Sequence, residues 1–347
     1  MEAKAWGNRD KAGEWQPPIL PDAPPLFRMP WRFKAAFNHL FGKDGYLSGW
    51  NLLYALTATV SWMYLTPAIV KNAIATDDLA LAFQPGWIGL IYLRNALLLL
   101  ALAGGAHLHL YMRKAQGTTY KYTDKWLATH DKKFLFHNQT YDNVFWNFAS
   151  GVVIWTAFEA LTLWMYGNGR LPFVSFARHP IYGVLMMVGV VYMRAIHFYW
   201  IHRISHWRPL YNISHYLHHK NVNIGPWSGL SMHPIEHLLY FSGIFLHWII
   251  PSHPLHAMFH AMHAGLAPVP GHTGFHTLQA NAEEDVPMMS TDHYFHYLHH
   301  RYFTVNYGDI AFPLDKWLGT LMDGSAESLE TLRKKRRAEA IRKKAKA

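Results

Sequence analysis

Four apolar runs, each about one bilayer thickness long when helical, constrain this chain more than any other feature. They are residues 50–70, 86–112, 144–166 and 180–201. The first carries no charge before Lys71, and the other three hold one interior formal charge each: Arg94, Glu159 and Arg194. Four such runs are hard to bury in the core of a soluble chain of 347 residues. The reading is an all-α integral-membrane helical bundle of about four spans. The mean hydropathy is close to zero, so a large polar part stands outside the bilayer. Charges are costly in lipid, which turns Arg94, Glu159 and Arg194 toward the bundle interior, where pairing with one another is the expected solution. A fifth apolar stretch, 238–264, is broken by Pro251 and Pro254. It reads as a re-entrant hairpin or two short helices rather than a further span.

Basic residues orient the spans. Segment 113–143 carries Arg113, Lys114, Lys121, Lys125, Lys132 and Lys133, whereas 71–85 carries only Lys71 against Asp77 and Asp78. Both termini are then cytoplasmic, and the fourth span delivers His202 to the cytoplasmic face. Four regions follow. Residues 1–49 form a Pro- and Trp-rich cytosolic or interfacial arm, lacking the basic start and apolar run of a signal peptide. Residues 50–201 form the transmembrane bundle, and 202–325 a cytosolic histidine-rich cap that includes the hairpin. Residues 326–347 form a basic tail. Of the net charge of +10, segment 331–347 supplies +8. A tail of this kind is solvated or drawn to anionic headgroups, and no aromatic-interleaved basic fold accompanies it to suggest nucleic acid.

Of the 25 histidines, 18 lie between His202 and His300. The stretch HRISHWRPLYNISHYLHH places His202 and His206 four apart, followed by His215, His218 and His219; HYLHH returns at His296, His299 and His300. On a helix, residues at i, i+3 and i+4 share a face. Each block therefore aims two or three imidazoles at one point. Neutral imidazole is a good ligand for first-row metals, and eight histidines are too many for one ion and suit two. The chain has no cysteine, which excludes thiolate zinc sites, Cys-ligated iron–sulfur clusters and Cys nucleophiles.

The series HRISH, HYLHHK, MHPIEH, GHTGFH and HYFHYLHHRYFTVNYGD, followed by PLDKWLGT, resembles the fatty acid hydroxylase and sterol desaturase superfamily over about residues 195–325. The sterol-modifying branch is the nearest. The resemblance implies a membrane-bound non-haem di-iron enzyme that uses O2 to hydroxylate or desaturate a lipid, sterol-like or fatty-acyl. Its ligand blocks fall on His202 and His206; on His215, His218 and His219; on His272 and His276; and on His296, His299 and His300. His233 and His237 stand open between ligation and positioning the cap. Glu236, Asp292 and Asp309 are expected to orient imidazole N–H groups as outer partners. Trp227, in a Gly- and Pro-punctuated segment, is expected at the substrate entrance. His253, His256, His260 and His263 form a one-face stripe that suits packing and interface contacts ahead of a proton or substrate path, and His293 is left without a role. Imidazole ligands suit an oxidant that thiolates would not survive.

No Rossmann glycine fingerprint, CxxCH or Cys cluster is present to hold a reductant. Electrons are therefore expected from an external donor protein: a cytochrome b5, a ferredoxin or a flavin reductase. The membrane is a bacterial inner membrane or an endoplasmic reticulum. Two readings of other classes were weighed. A His-rich metal transporter or sensor would place its ligands at mid-membrane. A zinc hydrolase needs fewer ligands with an open position, and the chain lacks HExxH. A sterol C5-type desaturase is the alternative within the enzyme reading.

Overall fold

The computed structural model describes residues 9–42, 49–66, 85–283, 287–291 and 293–344. The chain is mostly helical. Its organising element is a helix the sequence disguised as half of a hairpin, Pro254–Leu266, in which all 13 residues are buried. Pro254 stands at its N-terminus, where no amide hydrogen is missed. His253 Nδ1 accepts from the Leu255 amide, and His256 Nδ1 accepts from the His253 amide. Buried on every side, this helix is stable only when surrounded.

Four helices surround it. In chain order we label α1 Phe33–Phe41, α2 Gly49–Tyr64, α3 Pro85–Met112, α4 Gln139–Gly167 and α5 Pro180–Ser205. A helix over 208–219 with a π-turn at Tyr211–His215 is α6. Then come α7 Pro234–Phe241, α8 Pro254–Leu266, α9 Tyr294–Tyr302 and α10 Ala326–Lys344. Helices α2, α3, α4 and α5 all pack on α8. Small residues allow the close approach: a Cβ on Gly265 would lie 2.4 Å from the Trp155 ring. Among the described residues, α3, α4 and α5 are long and apolar enough to cross a membrane. The first expected span is represented by α2, and its continuation at 67–70 lies outside the described residues, as does segment 71–84. Outward faces of the bundle carry exposed Leu52, Leu56, Leu93, Leu97, Val184 and Leu185, an apolar belt suited to lipid.

A second core caps the bundle. It joins Trp15 and Leu20 of the N-terminal arm, Tyr122, Ile224, Tyr294, Tyr297 and Leu298 of α9, Met322, and Leu332 of α10. The arm is thus strapped to the cap: the Trp15 amide donates to Tyr122 O, and Glu14 pairs with Arg301 at 2.7 Å. The two-stranded ribbon Thr277–Gln279 and Pro287–Ser290 is antiparallel and lies beside it.

The span charges pair as expected in one case and differently in the other. Arg94 donates to Glu159 at 2.5 Å, and Asn95 donates to both Glu159 and Thr156. Arg194 instead reaches out of the span to Asp309 at 2.8 Å and to the Tyr240 hydroxyl at 3.1 Å, because its position on α5 faces the cap side rather than α3. Removing one partner of a buried pair strands the other charge. Glu159→Ala is expected to lower stability by about 3–5 kcal/mol, with Glu159→Gln milder; thermal melting of the detergent-solubilised protein measures it.

Candidate metal centre

Pro180 starts α5, and Pro209 prevents its helix from running straight into α6. The end of α5 therefore presents His202 in its last turn and His206 just beyond. Helix α6 adds His215, His218 and His219. A tight turn at Pro268–Gly271 delivers His272. Helix α9 adds His296, His299 and His300, and stops at Phe303, whose φ of 64° breaks it.

These side chains gather into two groups. One holds His202, His206, His215, His219 and His299; the other holds His218, His272, His296 and His300. Within the first, Nε2 atoms of His206 lie 3.1, 3.0 and 3.1 Å from those of His299, His215 and His219. Within the second, His272, His296 and His300 form a triangle of Nε2 atoms 3.0–3.1 Å on a side.

The Nδ1 atoms explain why these nitrogens face one another. His202 Nδ1 lies 2.6 Å from Tyr307 O, His299 Nδ1 2.6 Å from Val305 O and His272 Nδ1 2.8 Å from Pro268 O. His215 Nδ1 lies 2.6 Å from a Glu236 oxygen. A carbonyl only accepts, so the ring nitrogen donates and the proton sits on Nδ1. The Nε2 lone pairs of these four rings then point into the groups without a proton, a repulsive arrangement that a cation relieves. With metal–nitrogen bonds of about 2.1 Å, neighbouring ligands lie ~3.0 Å apart on an octahedron and ~3.4 Å apart on a tetrahedron. The observed spacing fits the octahedral case. The residues fit two metal ions.

Burial lowers the pKa of every clustered histidine outside the spans: His215 to about 3 and His218 to about 4, with His206, His219, His272, His296, His299 and His300 lowered too. Neighbouring imidazoles add to the shift at most of them. The ligands are therefore neutral at neutral pH, as coordination requires. Burial pushes the Glu236 carboxyl the other way, up to about 7.

The expected site residues fall into place unevenly. His276 belongs to neither group. Gly274, at φ 80°, turns the chain, and the His276 ring lies edge-on to Trp15 and near Tyr122. His237 spends Nδ1 on Ser150 Oγ and Nε2 on Leu230 O, so both nitrogens are bound within the protein. His233 caps α7 through the Ile235 amide. Asp309 pairs with Arg194 rather than with an imidazole, and Asp292 lies outside the described residues.

A cavity of about 500 Å³ opens beside the centre. His202, His215, His218, His272 and His296 form one wall; Trp50, Asn51, Tyr54 and Val191 of α2 and α5 form another. Trp227 does not line it. It is buried, with its ring toward Phe148 and Gly104. Gly229, two residues on, lines the cavity, and a Cβ there would lie 2.6 Å from Pro268 O.

Sequence reasoning missed Asp315 within PLDKWLGT. It is buried and accepts from the Tyr307 and Gly308 amides at 2.8 and 2.7 Å, which fixes the Tyr307 carbonyl against His202. The backbone carbonyls of Tyr307, Val305 and Pro268 carry no sequence signature at all.

With this geometry in hand, the chain can be set beside known proteins. Residues 172–320 match the fatty acid hydroxylase family. That segment of the chain is similar to the fatty acid hydroxylase and sterol desaturase superfamily. Similar proteins include a Delta(7)-sterol 5(6)-desaturase of Aspergillus fumigatus, 29% identical over 158 residues, covering 39% of this chain and 48% of the relative. A Delta(7)-sterol-C5(6)-desaturase of Nicotiana tabacum is 26% identical over 200 residues, 51% of this chain and 65% of the relative. A Delta(7)-sterol 5(6)-desaturase of Gibberella zeae is 30% identical over 125 residues, 35% of this chain and 37% of the relative. The chain spans less than two thirds of the length of each of these relatives. No solved structure matches it.

The depressed histidine pKa values set a pH dependence. Unfolded imidazoles titrate near ~6.5, and the folded ones well below. Under acid the unfolded state binds more protons, so the histidine contribution is present above about 6.5 and lost as pH falls toward the folded values. The carboxyls of Glu236, Asp315 and Glu14, raised by burial, work in the opposite sense. The metal-free protein should melt at a lower temperature near pH ~5.5 than near pH ~7.5, measured by scanning fluorimetry in detergent; an equal or higher melting point at the acid pH would contradict the buried, neutral cluster.

Proposed function

We propose that the chain is a membrane-bound non-haem di-iron enzyme that oxidises a sterol-like or fatty-acyl lipid with O2 and external electrons. The observation that carries this reading is the pair of buried, neutral, all-imidazole clusters forming one wall of a lipid-sized cavity that reaches the transmembrane helices. Two irons held there would supply activation of O2 for removal of hydrogen from an unactivated C–H bond. The chain's own residues do the rest. His202, His206, His215, His219 and His299 would hold one ion, and His218, His272, His296 and His300 the other. Glu236 and the carbonyls of Tyr307, Val305 and Pro268 keep Nδ1 of His215, His202, His299 and His272 protonated and their Nε2 atoms aimed inward. Tyr54, Val191, Met232 and Phe198 in the cavity wall keep the reacting carbon away from water.

Desaturation and hydroxylation draw on the same cofactors, and both consume O2, two electrons and two protons. The names of the relatives favour a Delta(7)-sterol and its C5–C6 bond, hence desaturation. A metal transporter fits less well, because most of the ligand imidazoles are buried and four of them are held at Nδ1 by the protein, which opposes exchange.

In this reading α2 to α5 form the membrane bundle, α7 and α8 fill the place of the hairpin, and the termini and the centre face the cytoplasm. An electron-donor protein would dock there, near the exposed Arg203 and Arg208 beside the first histidine block. The purified protein loaded with iron, given a Delta(7)-sterol and a reductase system, should release a sterol lighter by two mass units. His299→Ala should insert normally and release none, while His130→Ala should match the parent. Absence of any oxidised product from sterol and fatty-acyl lipids alike would overturn the reading.

A further inference from the structure

A second set of polar side chains runs through the apolar bundle, away from the metal ligands. Tyr166, half-buried near the C-terminal end of α4, lies 2.7 Å from Ser252 Oγ. Ser252 Oγ lies 2.9 Å from His247 Nδ1, and His247 Nε2 lies 3.2 Å from His260 Nδ1 on α8. His247, Ser252 and His260 are all buried. The other nitrogen of His260 faces a small cavity of about 10 Å³ between α5, α7 and α8, room for about one water. His197 enters the same cavity from α5, with its Nε2 3.0 Å from Ser242 Oγ. The space exists because residue 243 is glycine: a Cβ there would sit 3.0 Å from His260 Nε2 and 3.1 Å from His197 Nδ1. Arg194, Phe198 and Tyr240 line both this cavity and the large one beside the metal ligands, so the partition between them is one side chain thick.

The series has a direction. Tyr182, near the N-terminus of α5, donates to Pro251 O, and Ser252 donates its amide to Pro172 O. Its outer end therefore lies at the start of α5. His202 lies 22 residues later on the same helix, roughly 33 Å away at a rise of about 1.5 Å per residue, which is a full bilayer. Ionisable side chains at such depth are expensive, and hydrogen-bonded chains of them mark proton relays. An imidazole takes a proton at one nitrogen while releasing one from the other, so each link passes a proton with no net change in the ring.

We propose that Tyr166, Ser252, His247, His260, the space at Gly243 and His197 form a proton path from the membrane face opposite the metal centre to the reaction cavity. The proposal rests on the oxygenase reading above. Hydroxylation follows RH + O2 + 2e⁻ + 2H⁺ → ROH + H2O, and desaturation consumes the same two electrons and two protons while releasing two waters. O2 reduced without substrate, to peroxide or to water, also needs one proton per electron. O2 is the oxidant and a one-electron donor on the metal side is the reductant. Electrons enter from one face and protons from the other, so turnover moves charge across the membrane.

The test uses the full-length, iron-loaded protein in liposomes with the metal face outward. A membrane-impermeant reductant is added outside, the pH dye pyranine is trapped inside, and valinomycin with potassium compensates charge. O2 uptake and metal content are followed in parallel. The path predicts internal alkalinisation of one proton per electron consumed. Gly243→Ala, which fills the space without touching a histidine, should keep both metals and lower the rate of internal proton uptake roughly 100-fold, the scale of a lost positioned proton donor. His260→Phe should do the same. O2 uptake in the parent with all protons drawn from outside overturns the path and leaves the oxygenase reading intact. Undiminished internal uptake in Gly243→Ala also overturns it. A metal-loaded parent that consumes no O2 under any reductant overturns the oxygenase reading, and the path with it.

Discussion

Nine imidazole lone pairs pointed inward in a dry space are the constraint on which the rest of the structure depends. Unprotonated, they repel; protonated, they would place several positive charges in a low dielectric. The chain resolves this by binding the outer nitrogens. Tyr307, Val305 and Pro268 supply carbonyls and Glu236 a carboxylate, so the rings of His202, His299, His272 and His215 are held in the tautomer that leaves Nε2 bare. Asp315 holds the Tyr307 turn, and the Pro268–Gly271 turn is held by close packing on Gly229. The folding problem of the cap is therefore largely one of placing a few backbone carbonyls.

The bundle answers a different demand. A helix buried on all sides, α8, needs four neighbours, and the apolar surfaces those neighbours turn outward have no use in water. Lipid satisfies them. Because α5 both packs on α8 and ends in His202, the same packing that stabilises the bundle fixes the depth of the metal centre and aligns the cavity between bundle and cap.

The histidine blocks were legible because helical spacing converts directly into a shared face, and α6 and α9 obey it. Membrane spans were legible from length and apolarity, and Pro251 and Pro254 marked the break before α8; that α8 sits at the centre of the bundle is set by tertiary packing, which hydropathy does not carry. His276 was misleading because HTGFH resembles helical i, i+4 spacing, whereas Gly274 at φ 80° puts the segment outside a helix. Trp227 was placed by its neighbours in sequence; its ring turned toward Phe148 instead of the cavity, a choice made by packing volume rather than pattern. Asp309 found Arg194, a partner 115 residues away, which no local rule could supply. The Pro-rich composition of the N-terminal arm suits an extended, interfacial segment and carries no sign that Trp15 and Leu20 complete the core of the cap.

In the proposed reading, this chain holds two iron ions in nitrogen-only shells divided five and four. Elemental analysis combined with X-ray absorption on protein purified from iron-replete cells tests it most directly. The account predicts two irons per chain, with nitrogen neighbours near ~2.1 Å in numbers above four on average. A single metal per chain, or a tetrahedral four-nitrogen zinc site, would contradict it.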